Sequence, residues 1–384
     1  MKKNTFLKNM IAAATCVAVM AVFFSCSSKD DPLGLTATSV ELNKNALTLL
    51  VGDTHTLIAY TVSETVTWSS TDANIASVDI NGKVTAKAIG TVNITAKVGD
   101  QIATCEVTVV SSSSFTDFTQ TVSGISFDMV AVGKGIFTMG AANTDTQASN
   151  NEKPAHSVTL TINFYIGKTE VTQALWKAVM GNNPSYYQSS TYPAWGDDLQ
   201  RPIEQVSSNE IIGTDESAEG YTENGVTYYK NGFCYKLSVL ANGGTLGTKH
   251  YRLPTEAEWE FSARGGNKSQ GYKYSGSNNI DVVAWYYENC QITQPVGTKA
   301  ANELGIYDMT GSVSEWCSDW FDDYTANAQT DPQGPSFGFD DSRVKRGGNL
   351  NSPVGYCRLT CRGYGSLYTK STSLGFRLAI NLFQ

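Results

Sequence analysis

Between residues 40 and 110 the chain alternates apolar and polar side chains with period two. VEL, LTL and VNITAKV each place one face inward and one outward, the pattern of half-buried strands. Val51-Gly52-Asp53 and Asn81-Gly82 interrupt the alternation as turn signals. Several short strands with turns between them predict an antiparallel β-sandwich over 35–110, with Trp68 as a large core side chain. The polar run SSSSFTDFTQ follows, and 111–124 reads as a linker. From residue 125 to 384 the pattern becomes mixed. Thr169-Glu170-Val171-Thr172 followed by QALWKAVM predicts a capped amphipathic helix with Leu175, Val179 and Met180 near one face. Pro254-Thr255 opens a second helix, EAEWEF, with acids in its first turn. YTENGVTYY predicts an Asn-Gly hairpin, read as a polar, Tyr-rich element protruding from the surface. Trp259, Trp285, Trp316 and Trp320 are expected in the core. The fold class is therefore α+β: an all-β sandwich followed by a mixed, loop-rich domain.

Ahead of the sandwich stands a different pattern. Lys2 and Lys3 precede the apolar run IAAATCVAVMAVFF, of signal-peptide length and short for a spanning helix. Ser25-Cys26 resembles a lipobox, which makes 1–25 a lipoprotein signal peptide, Cys26 the lipidation site and 26–34 a tether. SSKDDP, with Lys29-Asp30-Asp31, resembles the export signal of Bacteroidetes surface lipoproteins. The expected location is the outer membrane, facing the exterior and held through the lipid on Cys26.

Composition narrows the chemistry. The net charge of −8 comes without any cluster of Lys and Arg, which argues against nucleic acid as a partner. His55, His156 and His250 lie far apart, so a His-built metal site of the usual kind is not expected. Six cysteines remain beyond the leader (Cys105, Cys234, Cys290, Cys317, Cys357, Cys361), without a CxxC and without a spacing that fixes disulfides.

Two resemblances carry further. Trp68-Ser69-Ser70, Val78, Asn81-Gly82-Lys83-Val84 and Gly90-Thr91 together resemble the bacterial Ig-like group 2 domain, which implies a spacer or adhesion module. FDMVAVGKGIFTMGA, RPIEQVS, YRLPTEAEWEFSARGG, NELGIYDMTGSVSEWCSDW and RGG…LGFRLA appear in the order of the formylglycine-generating enzyme, or sulfatase-modifying factor, family. That resemblance implies a variant of the C-type lectin fold with two helices, small sheets and much irregular backbone. It also implies a structural calcium site in Asp308-Met-Thr-Gly311-Ser-Val313-Ser-Glu315, with Asp308 and Glu315 binding by side chain and Gly311 and Val313 by carbonyl. The alternative is that Glu315 pairs with a core arginine, and both stay open.

The enzymes of that family bind copper(I) with two cysteines and oxidise a substrate cysteine. Here the first cysteine position is Ser352, the second is Cys357, and Asn349 stands where the enzymes have serine. A two-sulfur copper site is lost when one ligand becomes a hydroxyl. Cys361 is a poor substitute: in a strand it would lie roughly 13 Å from Cys357, and Arg358-Leu359-Thr360 has no helical preference. Cys357 is thus a catalytic candidate only if the enzymatic alternative holds, and otherwise a buried structural cysteine. The surrounding Gly, Ser, Tyr and Asn positions suit an adaptable recognition surface, with Asn349, Asn351, Tyr356, Tyr364 and Tyr368 as ligand-binding candidates, or else are ordinary solvated loops. The reading is a surface lipoprotein binding an unknown protein or glycan ligand. The alternative is a copper-dependent oxidoreductase acting on a protein cysteine, and a third reading is a component of an envelope machine.

Overall fold

The computed structural model describes residues 40–61, 65–111, 115–191, 193–195, 199–215, 219–338 and 341–381. The leader, Cys26 and the tether lie outside the described residues. No helix among those described is long and apolar enough to cross a membrane.

The first domain is a sandwich. One sheet runs Ala46–Leu50, Gln101–Val110, Gly90–Val98, Thr67–Ser70, and the other Thr54–Thr56, Lys83–Ala86, Ala76–Val78. The pairing is antiparallel except between Ala46–Leu50 and the final strand, which run parallel. The inward positions of the alternation, Leu47, Leu49, Val84, Val92, Ile94, Val107 and Val109, form its core. Trp68 is half-buried against that core rather than central in it. Gly82 is required at its turn: its φ is +78°, and a Cβ there would lie 2.4 Å from the Leu57 carbonyl oxygen and 2.8 Å from the Trp68 ring.

The second domain begins earlier than expected. Phe118–Val122, inside the stretch read as a linker, is a strand paired antiparallel with Ile125–Val132. It forms the edge of a sheet ordered Phe118–Val122, Ile125–Val132, Phe164–Gly167, Ala379–Asn381, Tyr251–Arg252. Phe115 and Phe118 lie 4.9 Å from the ring of Tyr165, and this burial is why the polar run is held. A second sheet, ordered Arg362–Ser366, Ser342–Arg346, Ser314–Trp320, Leu374–Gly375, carries the candidate site.

The capped helix is Gln173–Met180, with the Thr172 hydroxyl accepting from the Leu175 amide. The other is Glu256–Ala263, whose capping box joins Thr255 and Glu258. All eight of its residues are buried, its three glutamates included. Trp259 and Trp316 are core side chains, whereas Trp285 and Trp320 are half-buried and carry Lys299 and Arg343 over their rings at 4.1 and 4.2 Å. The Asn-Gly hairpin forms as Gly220–Glu223 and Val226–Tyr229, but it does not protrude. Its alternation turns Tyr221 and Tyr228 inward, stacked 5.4 Å apart, and the Tyr228 hydroxyl accepts from the Leu253 amide.

The domains meet where the sandwich turn at Asp53 reaches the second domain. Its carboxylate pairs with Lys134 and accepts from the Asn163 side-chain amide at 3.1 Å.

Candidate functional site

Strand Ser342–Arg346 ends in Gly347-Gly348, both in the left-handed region at φ +95° and +68°. At Gly348 a Cβ would stand 2.7 Å from the Tyr356 carbonyl oxygen and 2.9 Å from the Cys357 sulfur, so only glycine lets the loop fold back. The loop is then closed by its own polar side chains. The Asn349 amide donates to the Ser352 hydroxyl at 3.1 Å, the Asn351 amide donates to Asn349 Oδ1 at 2.9 Å, and Asn349 Nδ2 donates to Ser314 at 2.9 Å. Asn349 and Ser352 are therefore spent on shaping the loop, and Asn351 stays exposed.

After one 3₁₀ turn, Val354–Tyr356, the chain does not extend. A tight turn closes as the Cys361 amide donates to the Arg358 carbonyl at 3.0 Å. The roughly 13 Å separation of Cys357 and Cys361 expected of a strand is not adopted. The cause is Arg358: its guanidinium is buried in a bidentate pair with Glu152 at 2.7 and 2.8 Å, while Nε donates to the Gly355 carbonyl. Tertiary pairing folds a segment that lacks local helical preference.

Both thiols are buried. Burial, with Cys361 adding to it, pushes the Cys357 thiol up to about 12. Burial and Glu152 push Cys361 up to about 11. Each is protonated at neutral pH, and their nearest acceptors are carbonyls: Ser352 and Pro353 at 3.8 and 3.9 Å for Cys357, Gly355 at 3.4 Å for Cys361. The third candidate donor, the Ser352 hydroxyl, already accepts a hydrogen bond. This set does not fit a two-thiolate copper(I) site.

Beside these groups opens a cleft of ≈550 Å³ walled by Asn150, Asn151, Lys345, Arg346, Ser352 and Tyr356. Glu152, Arg346 and Arg362 of its lining belong to a network of ion pairs that extends behind it. Arg346 meets Glu260 and Glu256, Arg362 holds Glu256 with Nε and Nη2 at 2.6 and 2.7 Å, Arg264 meets Glu260, and Arg358 meets Glu152. Tyr356 stands at the mouth, 64% exposed. The expected tyrosine surface is not one surface. Tyr364 pairs across the sheet with Val344, whereas Lys345 pairs with Gly363, so Tyr364 lies on the face opposite Lys345, packed 4.5 Å from Phe321. Tyr368 is exposed two residues past the end of that strand.

In the expected calcium loop Glu315 follows the alternative reading and pairs with a core arginine. Gly311 has φ +78°, and a Cβ there would lie 2.2 Å from the Trp285 carbonyl oxygen. Val313 is buried beside it. Glu315 pairs bidentately with Arg377 at 2.6 and 2.6 Å and accepts from the Trp259 indole at 2.7 Å. Asp308 accepts from the Gly297 amide at 2.6 Å. Next to it lies Glu170, wholly buried, with no well-formed hydrogen bond to either carboxylate oxygen. Burial, Asp308 and Glu315 hold the Glu170 carboxyl far above its usual range, and burial pushes Asp308 up to about 6. Three carboxyls thus face one guanidinium. The orphaned oxygens of Glu170 and the carboxylate of Asp308 fit an oxygen-loving cation such as calcium, while Glu315 is committed to Arg377. Among the described residues no three His, Cys, Asp or Glu side chains converge as a metal centre. Glu170 stands in the helix-capping motif, where the local pattern carries no sign of this role.

Residues 114–382 match the family described as Sulfatase-modifying factor enzyme 1-like domain, and residues 36–109 match Bacterial Ig-like domain (group 2). The chain belongs to the sulfatase-modifying factor family. Chaperone protein LppX of Paenibacillus barcinonensis is 36% identical over 269 residues, 62% of this chain and 84% of that protein. Formylglycine-generating enzyme of Mus musculus is 34% identical over 147 residues, 33% of this chain and only 38% of the enzyme. Among solved structures, Treponema denticola variable protein 1 superposes with a TM-score of 0.56 at 32% identity, covering 69% of this chain and 99% of that one. The family match spans every residue that lines the cleft.

Proposed function

We propose that this protein is a lipid-anchored recognition protein of the outer membrane surface, in which the Ig-like domain is a spacer and the sulfatase-modifying-factor domain binds a protein partner without oxidising it. The observation that carries this reading is the donor set at the family's catalytic position. Ser352 closes its own loop, and the thiols of Cys357 and Cys361 are buried and protonated. The lipobox at Cys26 supports the anchor. A relative named as a chaperone protein favours a protein over a glycan as the ligand. The exposed side chain of Tyr356 at the cleft supplies contact area of the kind such partners use. A structural calcium ion belongs to the same reading, with Asp308 and Glu170 as the side chains that would hold it.

The test is copper(I) capture by the full chain against a strong copper(I) chelator, with a peptide bearing a sulfatase-type cysteine motif followed by mass. The expected result is no capture and no aldehyde. Copper held by the wild-type chain together with conversion of the peptide overturns this reading in favour of an oxidoreductase.

A further inference from the structure

Arg362 also lines a second cavity, of ≈520 Å³, bounded by the end of the strand Ser314–Trp320, the start of the helix Glu256–Ala263 and the loop 329–335. Its lining carries four carboxyls, Glu256, Asp319, Asp322 and Asp323, against one guanidinium, that of Arg362. Arg362 is spent: it holds Glu256 bidentately at 2.6 and 2.7 Å and donates through Nη1 to the Asn151 and Asp322 carbonyls. Asp319, Asp322 and Asp323 make no ion pair among the described residues. The neighbouring Arg343 stacks 4.2 Å over the Trp320 ring and donates to the Ser318 carbonyl, not to a carboxylate. Asp319 is the group that decides what the cavity can hold. Its side chain forms part of the wall, yet the residue is only 4% exposed. Both of its hydrogen bonds, from the Glu256 amide at 2.8 Å and the Ser318 hydroxyl at 3.2 Å, fall on Oδ2. Oδ1 is left without a donor among the described residues. Gly334, at φ +73°, lets the loop lie against it: a Cβ there would stand 3.0 Å from the Asp319 Cβ and 3.1 Å from the Trp320 carbonyl oxygen.

We propose that this cavity binds an alkylammonium group, carried by a lysine of a polypeptide or by a free polyamine, with Asp319 Oδ1 as its acceptor and Asp322 and Asp323 as the charges that draw it in. The assignment goes beyond the reading above and does not depend on what the cleft at Cys357 binds. A buried carboxyl without a counter-ion gains most from an incoming cation, because the low-dielectric wall strengthens the pair. One free oxygen suits the point charge of an ammonium, whereas the fork of a guanidinium asks for both oxygens of a carboxylate. Among the described residues no three acidic side chains converge as a metal centre, so these carboxyls fit a larger cation better than a bare divalent ion. Pro332, Pro335 and Trp320 offer apolar wall to the methylene stem that an ammonium carries. The charged and titratable groups about Asp319 are Glu256 and Glu258 of the helix, Arg343 and Arg362 of the sheet, Asp322 and Asp323 after its own strand, and His156 on the cavity wall. Burial, then Glu256, pushes the Asp319 carboxyl up to about 7, and a bound cation brings it back down.

The experiment titrates the full-length chain into a fluorescein-labelled hexalysine peptide, followed by anisotropy at low and moderate salt. Saturable, salt-sensitive binding is expected. It should weaken roughly tenfold or more in Asp319→Asn, weaken also when Asp322→Asn and Asp323→Asn are combined, and stay unchanged in Asp100→Asn, an exposed carboxylate of the sandwich. Circular dichroism of each variant separates loss of binding from loss of fold. Should Asp319→Asn fail to fold, the double variant at the exposed positions decides, and wild-type binding by it overturns the proposal. Binding by the wild-type chain should tighten from pH 6 to pH 8 as Asp319 releases its proton, and no change overturns Asp319 as the acceptor. Displacement of the peptide by spermidine at a lower concentration identifies a polyamine as the source, and weaker displacement identifies a lysine side chain; both keep the ammonium. Absence of saturable binding, or equal binding by wild type and Asp319→Asn, overturns the proposal. Tighter binding of hexaarginine overturns the ammonium in favour of a guanidinium, and displacement by millimolar calcium at constant ionic strength makes this a divalent-ion site instead. Copper capture by the wild-type chain overturns the non-oxidising reading above and leaves this assignment standing.

Discussion

The two domains solve the same problem in opposite ways. In the sandwich, the inward positions of the alternation are hydrocarbon apart from the buried thiol of Cys105, and the ladders satisfy the backbone. In the second domain, long irregular loops leave carbonyls unpaired, and arginines reach in to satisfy them. Arg346 donates to Leu359 and Thr360, Arg358 to Gln147, Arg362 to Asn151 and Asp322, and Arg377 to Gly167 and Tyr307. The glutamates of the sunken helix, Glu256–Ala263, neutralise Arg346 and Arg362. A guanidinium with five donors does here what a strand edge does in the sandwich. Its burial is costly, so these pairs specify where the loops lie more than they add net stability.

The largest effect expected from that contrast comes from breaking one pair. Arg346→Met leaves Glu260 and Glu256 short of a partner and should cost the second domain about 3–5 kcal/mol. Calorimetry should show its transition falling while the sandwich transition stays. An unchanged scan would mean that the arginines are not the clamps described. Next comes the hydrocarbon core: Ile94→Ala should cost the sandwich roughly 2–4 kcal/mol and leave the second domain's transition in place.

A pH effect should follow, again confined to the second domain. Burial, then Glu256, pushes the Asp319 carboxyl up to about 7. The folded chain therefore holds a proton that the unfolded chain has already released above its ordinary value. This contribution is favourable in acid and is lost progressively as pH rises from about 4 to about 7. Asp319→Asn should be relatively more stable at pH 8 than at pH 5, by on the order of 2 kcal/mol. Denaturant midpoints at the two pH values check it, and a shift of opposite sign would rule it out. The smallest effect belongs to the seam. Asp53→Ala removes the Lys134 pair and the Asn163 contact, and should cost less than about 1 kcal/mol. It should slightly separate the two unfolding transitions in a scan.

Legibility in the sequence follows the same division. Strands, the turn at Gly82 and the helix caps at Thr172 and Thr255 rest on local rules, and the pattern of nearby residues carries them. The helix EAEWEFSA reads locally as half polar, yet it is wholly buried because Arg346 and Arg362, far along the chain, come to meet it. The turn at Cys357–Cys361 and the inward hairpin depend likewise on distant partners, Glu152 for the first and the Leu253 amide for the second. The site splits along the same line. Ser352 and Asn349 are visible as changes in a family motif, and Cys357 as its retained cysteine. Glu170 matters because neither of its carboxylate oxygens finds a well-formed hydrogen bond.

The parallel pairing of Ala46–Leu50 with the last strand of the sandwich bears on force. Glu106 donates to Asn45 at one end of this pairing and Val51 to Val110 at the other, so the chain comes in and leaves at opposite ends. A pull between the start of the sandwich and the second domain loads these hydrogen bonds in shear, all together, instead of peeling them one at a time. Such a module resists extension well beyond what its modest size suggests.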